Sequence, residues 1–193
     1  EEMLDKESLD AVVISTPNDT HCPISLVALE KGLNVLCEKP LALNYPEARK
    51  MLEAAQRHNL ITMVPFTYSF LPMTQKIKSL MSNGYLGVPY HLNFRYFADF
   101  GRSAEYKWRF DQKHSGSGSL GDIGSHFIYL AVWFFGSVTQ VWAELKTVTK
   151  RPELDPSGEA YTQTDDFSII VLTFSNGAMG VIHAVSYTHL TLP

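Results

Sequence analysis

The sequence predicts an α/β protein in which part of a doubly wound parallel sheet precedes an α+β domain with an open, mainly antiparallel sheet. Short strands and helices alternate through residues 1–66, the rhythm of βαβ units. From residue 67 onwards the strands become long and the helices few. Asn176-Gly177, between two apolar runs, is a strong signal for a tight hairpin.

The first part of the chain contains three predicted strands. Residues 10–16 form a β-branched apolar run of the kind that is buried on both faces in a parallel sheet. Gly32 closes the helix that follows, and Pro40 ends the next strand because proline cannot donate to a sheet ladder. We therefore assign strands to residues 10–16, 34–40 and 60–65, and helices to residues 23–31 and 45–59. These elements match the second half of a nucleotide-binding domain, without the first half that would carry a Gly-rich phosphate turn.

The second part of the chain, residues 67–184, has the pattern of an antiparallel domain. Helices are predicted at residues 71–83 and 120–135, on either side of a strand at 88–100 and a polar loop at 101–118. Three further strands follow, at residues 140–149, 166–175 and 178–184. We place the domain boundary between Phe66 and Thr67.

The last nine residues, 185–193, break the preceding pattern and resemble the translation of a sequencing adapter. We interpret them as a non-native tail; a genuine β-strand is the alternative, since the residues are β-prone. The chain also begins without an initiating Met. We therefore expect a fragment that by itself is inactive.

Composition excludes several classes of protein. The net charge of −4 argues against a nucleic-acid binder, which usually shows a basic stripe. No apolar run reaches the roughly eighteen residues that a membrane span needs. Cys22 and Cys37 have neither metal-type nor disulfide-framework spacing, which suits a reducing compartment. We therefore predict a cytoplasmic protein without a metal, nucleic-acid or membrane partner.

Glu38-Lys39-Pro40 stands where the second strand ends. Open α/β sheets bind ligands just outside the carboxyl ends of their strands, so this turn is delivered to the place where such a fold does chemistry. On spacing alone, the favoured interpretation of Lys39 is a solvated loop lysine, and the rest of the chain is needed to argue for a catalytic one.

Asp122 and His126 are four residues apart in a predicted helix and share one face of it. The carboxylate lies near the helix start, where the macrodipole favours it, and an imidazole titrates near neutral pH as a general base must. The alternative is a helix-start carboxylate beside a satisfied core histidine. A metal site has less support, because spacing supplies only two ligands.

Taken in order, these motifs resemble the Gfo/Idh/MocA-type family of NAD(P)-dependent oxidoreductases, typified by glucose–fructose oxidoreductase and inositol 2-dehydrogenase. The resemblance covers residues 1–184 and implies a Rossmann domain followed by a substrate and dimerisation domain. Thr67-Tyr68-Ser69 departs from the Asn-Tyr-Arg type of sequence that many members have there. The matching motifs are Thr16-Pro17-Asn18 with His21, Glu38-Lys39-Pro40, Trp108-Arg109 and the Gly121–His126 segment with Asp122.

The resemblance also implies roles for these residues. The cofactor, NAD or NADP, would be contacted by Thr16, Pro17, Asn18, His21, Glu38, Lys39, Pro40, Trp108 and Arg109. The substrate, a sugar, sugar derivative or cyclitol, would be contacted by Lys39, Tyr68, Asp122 and His126. Hydride removal from a carbinol carbon requires a base and a group that stabilises the developing negative oxygen. His126 would be that base, Lys39 would stabilise the oxygen, and Asp122 would orient a hydroxyl or the imidazole.

Three functions fit this pattern. The leading one is a dehydrogenase acting on CH–OH groups, assembled as a homodimer or homotetramer. The second is an NAD-dependent glycoside hydrolase of the same fold, which oxidises its substrate only transiently. The third is a non-catalytic NAD(P)-sensing regulator, for which Lys39 and His126 together would be unnecessary.

Overall fold

The computed structural model describes residues 2–99, 101 and 103–186. Its first half is a three-stranded parallel sheet in the order β1-β2-β3, with one helix before β1 and one after each of β1 and β2. These elements are α1 (Glu2–Lys6), β1 (Ala11–Ile14), α2 (His21–Glu30), β2 (Asn34–Cys37), α3 (Tyr45–His58) and β3 (Thr62–Met63).

One prediction about this sheet is wrong. The run that includes β1 was expected to be buried on both faces, but only Val12 and Ile14 are buried, whereas Val13 is 71% exposed. The cause is that α2 and α3 both pack on the face of Val12 and Ile14, where their side chains form one apolar cluster with β2. A β-branched run is therefore compatible with burial on a single face.

Local capping explains where α3 begins and ends. Asn44 accepts a hydrogen bond from the backbone N–H of Glu47 at 3.0 Å, and the Glu47 carboxylate accepts from the backbone N–H of Leu43 at 3.1 Å. At the other end Asn59 adopts a left-handed conformation with φ of 53°, which asparagine tolerates better than most residues. These contacts fix the helix directly after the β2 turn.

The second half of the chain is a four-stranded sheet in the order β4-β7-β6-β5. Two of its three strand pairings are antiparallel and β4 pairs with β7 in parallel, so the predicted mainly antiparallel sheet is confirmed. The Asn176-Gly177 turn joins β6 to β7, with Gly177 at φ of 83°. The elements are α4 (Pro72–Ser82), β4 (His91–Phe97), α5 (Gln112–Ser115), α6 (Ser125–Phe135), β5 (Val138–Lys146), β6 (Phe167–Phe174) and β7 (Met179–Val185).

Helix α6 covers one face of this sheet. Ala131 and Phe135 pack there against Ile170, Phe174 and Ile182, which are at most 9% exposed. The separate cores are compatible with the predicted division at residue 66, which stays a prediction.

Several boundaries differ from the sequence-based ones. The predicted polar loop 101–118 contains a 3₁₀ turn at Trp108–Phe110 and the short α5. The helix predicted from Leu120 begins instead with a π-helical turn, Leu120–Gly124, before α6. Strand β7 continues through Val185, and the Ser186 N–H donates to the Asp166 carbonyl at 2.9 Å. Residues 187–193 of the predicted tail lie outside the described residues, as does Phe100 at the predicted end of the β4 strand.

Candidate active site

Two turns lie side by side at the carboxyl ends of β1 and β2. Residues 16–18 follow β1 and residues 38–40 follow β2, and the two strands are parallel neighbours. Parallel strands bring their carboxyl ends to one edge of the sheet, which is where open α/β folds bind ligands. The two turns therefore form one wall of a cleft of about 380 Å³.

His21 joins these two turns from behind. Its ring is fully buried, with Nδ1 at 2.9 Å from the Pro40 carbonyl oxygen and Nε2 at 2.9 Å from the Thr16 carbonyl oxygen. The family resemblance implied a cofactor contact for His21, whose side chain is not among the residues that line the cleft. The geometry gives it a different task, which is to fix the distance between the two turns.

The opposite wall comes from the second half of the chain. The Arg109 guanidinium lies over the Trp108 ring, 4.4 Å from the ring centroid, and both residues line the cleft. Asn18 Nδ2 donates to the Ser115 carbonyl at 2.9 Å, and His114 Nδ1 lies 2.7 Å from Asp19 Oδ2. These contacts dock the turn after β1 onto α5.

Lys39 meets Asp122 at the floor of this cleft. Its ammonium donates to Asp122 Oδ1 at 2.6 Å and to the Asp122 carbonyl oxygen at 2.9 Å. The side chains are 18% and 37% exposed, so the pair is only partly shielded from water. Two residues that the sequence separates by 83 positions are thus brought together from the two halves of the chain.

His126 lies beside this pair among aromatic rings. Tyr68 stacks on its imidazole with centroids 4.7 Å apart, and Phe66 meets it edge-on at 5.8 Å. Burial lowers the pKa of His126 below its ordinary value; the positive charge of Lys39 lowers it further, while Asp122 and then Glu38 oppose the shift. The imidazole is therefore neutral at neutral pH, the form in which it can accept a proton.

The His126 ring is not held by a protein hydrogen bond at Nδ1, which is buried and has no partner among the described residues. Asp122 was expected to orient a hydroxyl or the imidazole, and its Oδ1 accepts a hydrogen bond from Lys39. The i, i+4 argument assumed a regular α-helix, whereas Asp122 lies in the π-helical turn and His126 in the first turn of α6. Neither His126 nor Tyr68 is among the residues lining the 380 Å³ cleft.

The glycines before this helix are tightly packed. A Cβ at Gly118 would lie 1.9 Å from the Asp165 carbonyl oxygen, and one at Gly121 would lie 2.5 Å from Ser117 Oγ. Asp165 was missed by the sequence analysis, yet its carboxylate accepts hydrogen bonds from the Gly118 N–H at 2.7 Å and the Leu120 N–H at 2.8 Å. The only sequence signal was an acidic pair, Asp165 and Asp166, just before a strand, which does not reveal the partner.

Two family models match this chain, one over each half. The family model for "Oxidoreductase family, NAD-binding Rossmann fold" matches residues 1–66, and that for "GFO/IDH/MocA C-terminal domain" matches residues 74–191. The chain belongs to the Gfo/Idh/MocA family. The resemblance drawn from the motifs is thereby confirmed, and so is the fold class.

Relatives in the Gfo/Idh/MocA family include several named dehydrogenases. Levoglucosan dehydrogenase of Pseudarthrobacter phenanthrenivorans is 30% identical over 97% of this chain and 52% of its own length. Glucose-6-phosphate 3-dehydrogenase of Bacillus subtilis is 32% identical over 81% of this chain and 48% of its own length. Trans-1,2-dihydrobenzene-1,2-diol dehydrogenase of Danio rerio is 30% identical over 94% of this chain and 50% of its own length. The chain spans about half the length of the curated relatives it matches.

The solved structures that resemble this chain are also oxidoreductases. The apo form of levoglucosan dehydrogenase superposes with a TM-score of 0.91 at 31% identity, covering 98% of this chain and 52% of that chain. Its complex with NADH and levoglucosan has a TM-score of 0.89 at 31% identity, with 98% and 51% covered. An oxidoreductase domain protein from Kribbella flavida has a TM-score of 0.88 at 35% identity, with 98% and 52% covered.

Among the described residues, no helix combines the length and apolarity that a membrane crossing requires. In the same part of the chain, no group of three or more His, Cys, Asp or Glu side chains is arranged to hold a metal ion.

Proposed function

We propose that this chain forms the catalytic cleft of an NAD(P)-dependent oxidoreductase that acts on a CH–OH group of a sugar, sugar derivative or cyclitol. The observation that carries the proposal is the meeting of Lys39, Asp122 and His126, contributed by both halves of the chain, beside a cleft at the carboxyl edge of a parallel sheet. A fixed ammonium beside a neutral imidazole provides both groups that oxidation of an alcohol needs.

The cleft suits the nicotinamide end of NAD or NADP. Its walls are polar turns and a flat Trp108–Arg109 stack, which provide hydrogen-bonding groups, an aromatic face and positive charge to a planar ring and its ribose. When bound there, the nicotinamide supplies the hydride acceptor. The residues that would hold it are Thr16, Pro17, Asn18, Glu38, Lys39, Pro40, Trp108 and Arg109.

The chain's own residues then divide the remaining work. Neutral His126 accepts the hydroxyl proton of the substrate, and the Lys39 ammonium stabilises the oxygen as negative charge develops on it. Asp122 holds that ammonium through its carboxylate and its carbonyl, so Lys39 is in place before substrate arrives. Phe66 and Tyr68 exclude water from one side of the imidazole.

The substrate class rests on the polar cleft and on the named relatives, whose names specify levoglucosan, glucose 6-phosphate and a dihydrodiol. The stacking of Tyr68 on His126 supports a contact between Tyr68 and the sugar. A cytoplasmic location remains part of the proposal, in line with two buried free thiols.

Assembly as a homodimer or homotetramer is also proposed, through the sheet face opposite α6. Trp142, Val171 and Val181 are direct cross-strand partners and share that face, where Trp142 is 58% exposed. Trp142→Glu should shift light scattering towards the monomer. Val141→Glu, at a 67% exposed neighbour on the other face, is the matched control and should leave the mass unchanged. A monomeric wild-type protein at micromolar concentration would contradict this proposal.

Because the chain by itself is expected to be inactive, activity is tested on the full-length protein, by following absorbance of the reduced nicotinamide while NAD or NADP is offered with levoglucosan, glucose 6-phosphate and inositol. Substrate-dependent reduction is expected, lost in Lys39→Met and kept in the matched control Lys50→Met, an exposed lysine on α3. Release of free sugar from a glycoside without net reduction would favour the redox-assisted hydrolase instead. Cofactor binding without turnover of any alcohol would favour the sensor.

A further inference from the structure

Asp165 makes a dense set of contacts with the start of the helix that carries the candidate catalytic residues. Its Oδ1 accepts from the Gly118 N–H at 2.7 Å, and its Oδ2 accepts from Ser119 Oγ at 2.7 Å and from the Leu120 N–H at 2.8 Å. Its carbonyl oxygen also accepts from the Ser119 N–H at 3.0 Å. One residue, 9% exposed, thus satisfies the backbone donors that a helix start leaves unpaired.

These contacts lead directly to the site. The Asp122 N–H donates to the Gly118 carbonyl at 2.9 Å, so Gly118 is bonded on one side to Asp165 and on the other to Asp122. Asp122 in turn holds Lys39. A displacement of Gly118 would therefore be passed to the ion pair at the floor of the cleft.

Asp165 fills the space around Gly118 that a side chain or a bound anion would otherwise occupy. The Asp165 carbonyl oxygen occupies the position that a Cβ would need, and the Asp165 carboxylate occupies the position that a bound anion would take at a Gly-rich helix start. Gly116, Gly118 and Gly121 have the G-x-G-x-x-G spacing of a phosphate-binding turn. Here a carboxylate of the chain itself uses those backbone donors.

We propose that Asp165 is a positioning residue of the active site, which holds the Leu120–Gly124 turn so that Asp122 can place the Lys39 ammonium and α6 can present His126. The inference rests on the proposed function for its catalytic consequence only. Its structural consequence, an altered setting of Lys39 and His126, is measurable without turnover.

The experiment compares Asp165→Ala with Asp155→Ala in the full-length protein, because the chain by itself is expected to be inactive. Asp155 is a chemically matched control, because its carboxylate also accepts from two backbone N–H groups and one serine hydroxyl, those of Ser157 and Glu159, on a loop outside the cleft. In Asp165→Ala, the NMR signals of the Lys39 ammonium and the titration of the His126 ring should shift, and kcat should fall on the order of tenfold. Asp155→Ala should resemble wild type in each respect.

Added formate supplies a second readout, since a small carboxylate fits the vacated position. It should restore the wild-type His126 titration and part of kcat in Asp165→Ala, and it should do neither in Asp155→Ala. If Asp165→Ala fails to fold, Ser119→Ala is the second variant, because it removes one of the three hydrogen bonds that the Asp165 carboxylate accepts. It should shift the His126 titration in the same direction by a smaller amount. An unchanged His126 titration in a folded Asp165→Ala or Ser119→Ala protein would overturn the proposal. Shifted titration without any measurable turnover would leave it standing and count against the proposed function instead.

Discussion

The contact between Lys39 and Asp122 can be measured by a double-mutant cycle on protein stability. Fully exposed ion pairs contribute about 0.2–1 kcal/mol, whereas breaking a buried pair costs about 3–5 kcal/mol. With side chains 18% and 37% exposed, this pair lies between those limits. The hydrogen bond from Lys39 to the Asp122 carbonyl is retained in Asp122→Asn and therefore does not enter the coupling. We expect a coupling of about 1–2 kcal/mol between Lys39→Met and Asp122→Asn.

The assay is urea unfolding of the two single variants, the double variant and wild type, with the cycle repeated on Arg49 and Glu53. That second pair has its side chains 48% and 53% exposed at four-residue spacing on α3, so its coupling should be about 0.3–0.5 kcal/mol. Activity adds an independent arm. Lys39→Met should lower kcat/KM by a factor on the order of 10² to 10³, and Asp122→Asn should be milder because it retains the carbonyl contact. Stability effects of Lys39 and Asp122 that add within about 0.3–0.5 kcal/mol would refute the reasoning.

Three further outcomes are expected. The kcat/KM of the enzyme should fall as pH drops below the ordinary histidine pKa of 6.5, because the pKa of His126 is lowered and its neutral form is the base. In His126→Ala this acidic limb should vanish and kcat should be lower by a factor on the order of 10² to 10⁴. An acidic limb that is unchanged in His126→Ala would place the base elsewhere. Gly118→Ala should lower the free energy of unfolding by about 1–3 kcal/mol or more, because its Cβ would lie 1.9 Å from the Asp165 carbonyl oxygen. Gly124→Ala, whose Cβ would meet its nearest neighbour at 3.4 Å, should be neutral or slightly stabilising. Equal effects of the two variants in urea unfolding would contradict the packing argument. Arg151→Met should lower Tm by roughly 10 °C, because it leaves the fully buried Asp166 carboxylate without its ion-pair partner. A calorimetric Tm within about 2 °C of wild type would show that this ion pair contributes little to stability.

The sign of the His126 shift also fixes its effect on stability. A pKa lowered in the folded state means that the unfolded chain binds the proton more readily. The contribution of neutral His126 to stability is therefore fully present above the ordinary value of 6.5 and is lost as pH falls through the lowered folded pKa.

Features that depend on local order were predictable from the sequence. The Glu38-Lys39-Pro40 turn follows from a short strand ended by proline, and the β6–β7 hairpin follows from Asn176-Gly177. In these cases the signal lies within a few residues of the feature that it predicts.

The contacts that could not be predicted from the sequence join residues that are far apart in the chain. Lys39 and Asp122 are 83 positions apart, and Gly118 and Asp165 are 47 apart, so no spacing rule connects them. The π-helical turn at Leu120–Gly124 was read as regular helix, because apolar periodicity does not distinguish an i+5 from an i+4 hydrogen bond over one turn. Tertiary packing decides such details.

The imidazole of His21 has a consequence for ligand entry. By bracing two loops through their carbonyls, it makes the spacing of the cleft wall a property of the folded chain and removes the need for a ligand to order those loops. A preformed wall reduces the conformational entropy that binding must overcome. Selectivity at this wall would then arise from shape complementarity rather than from induced fit.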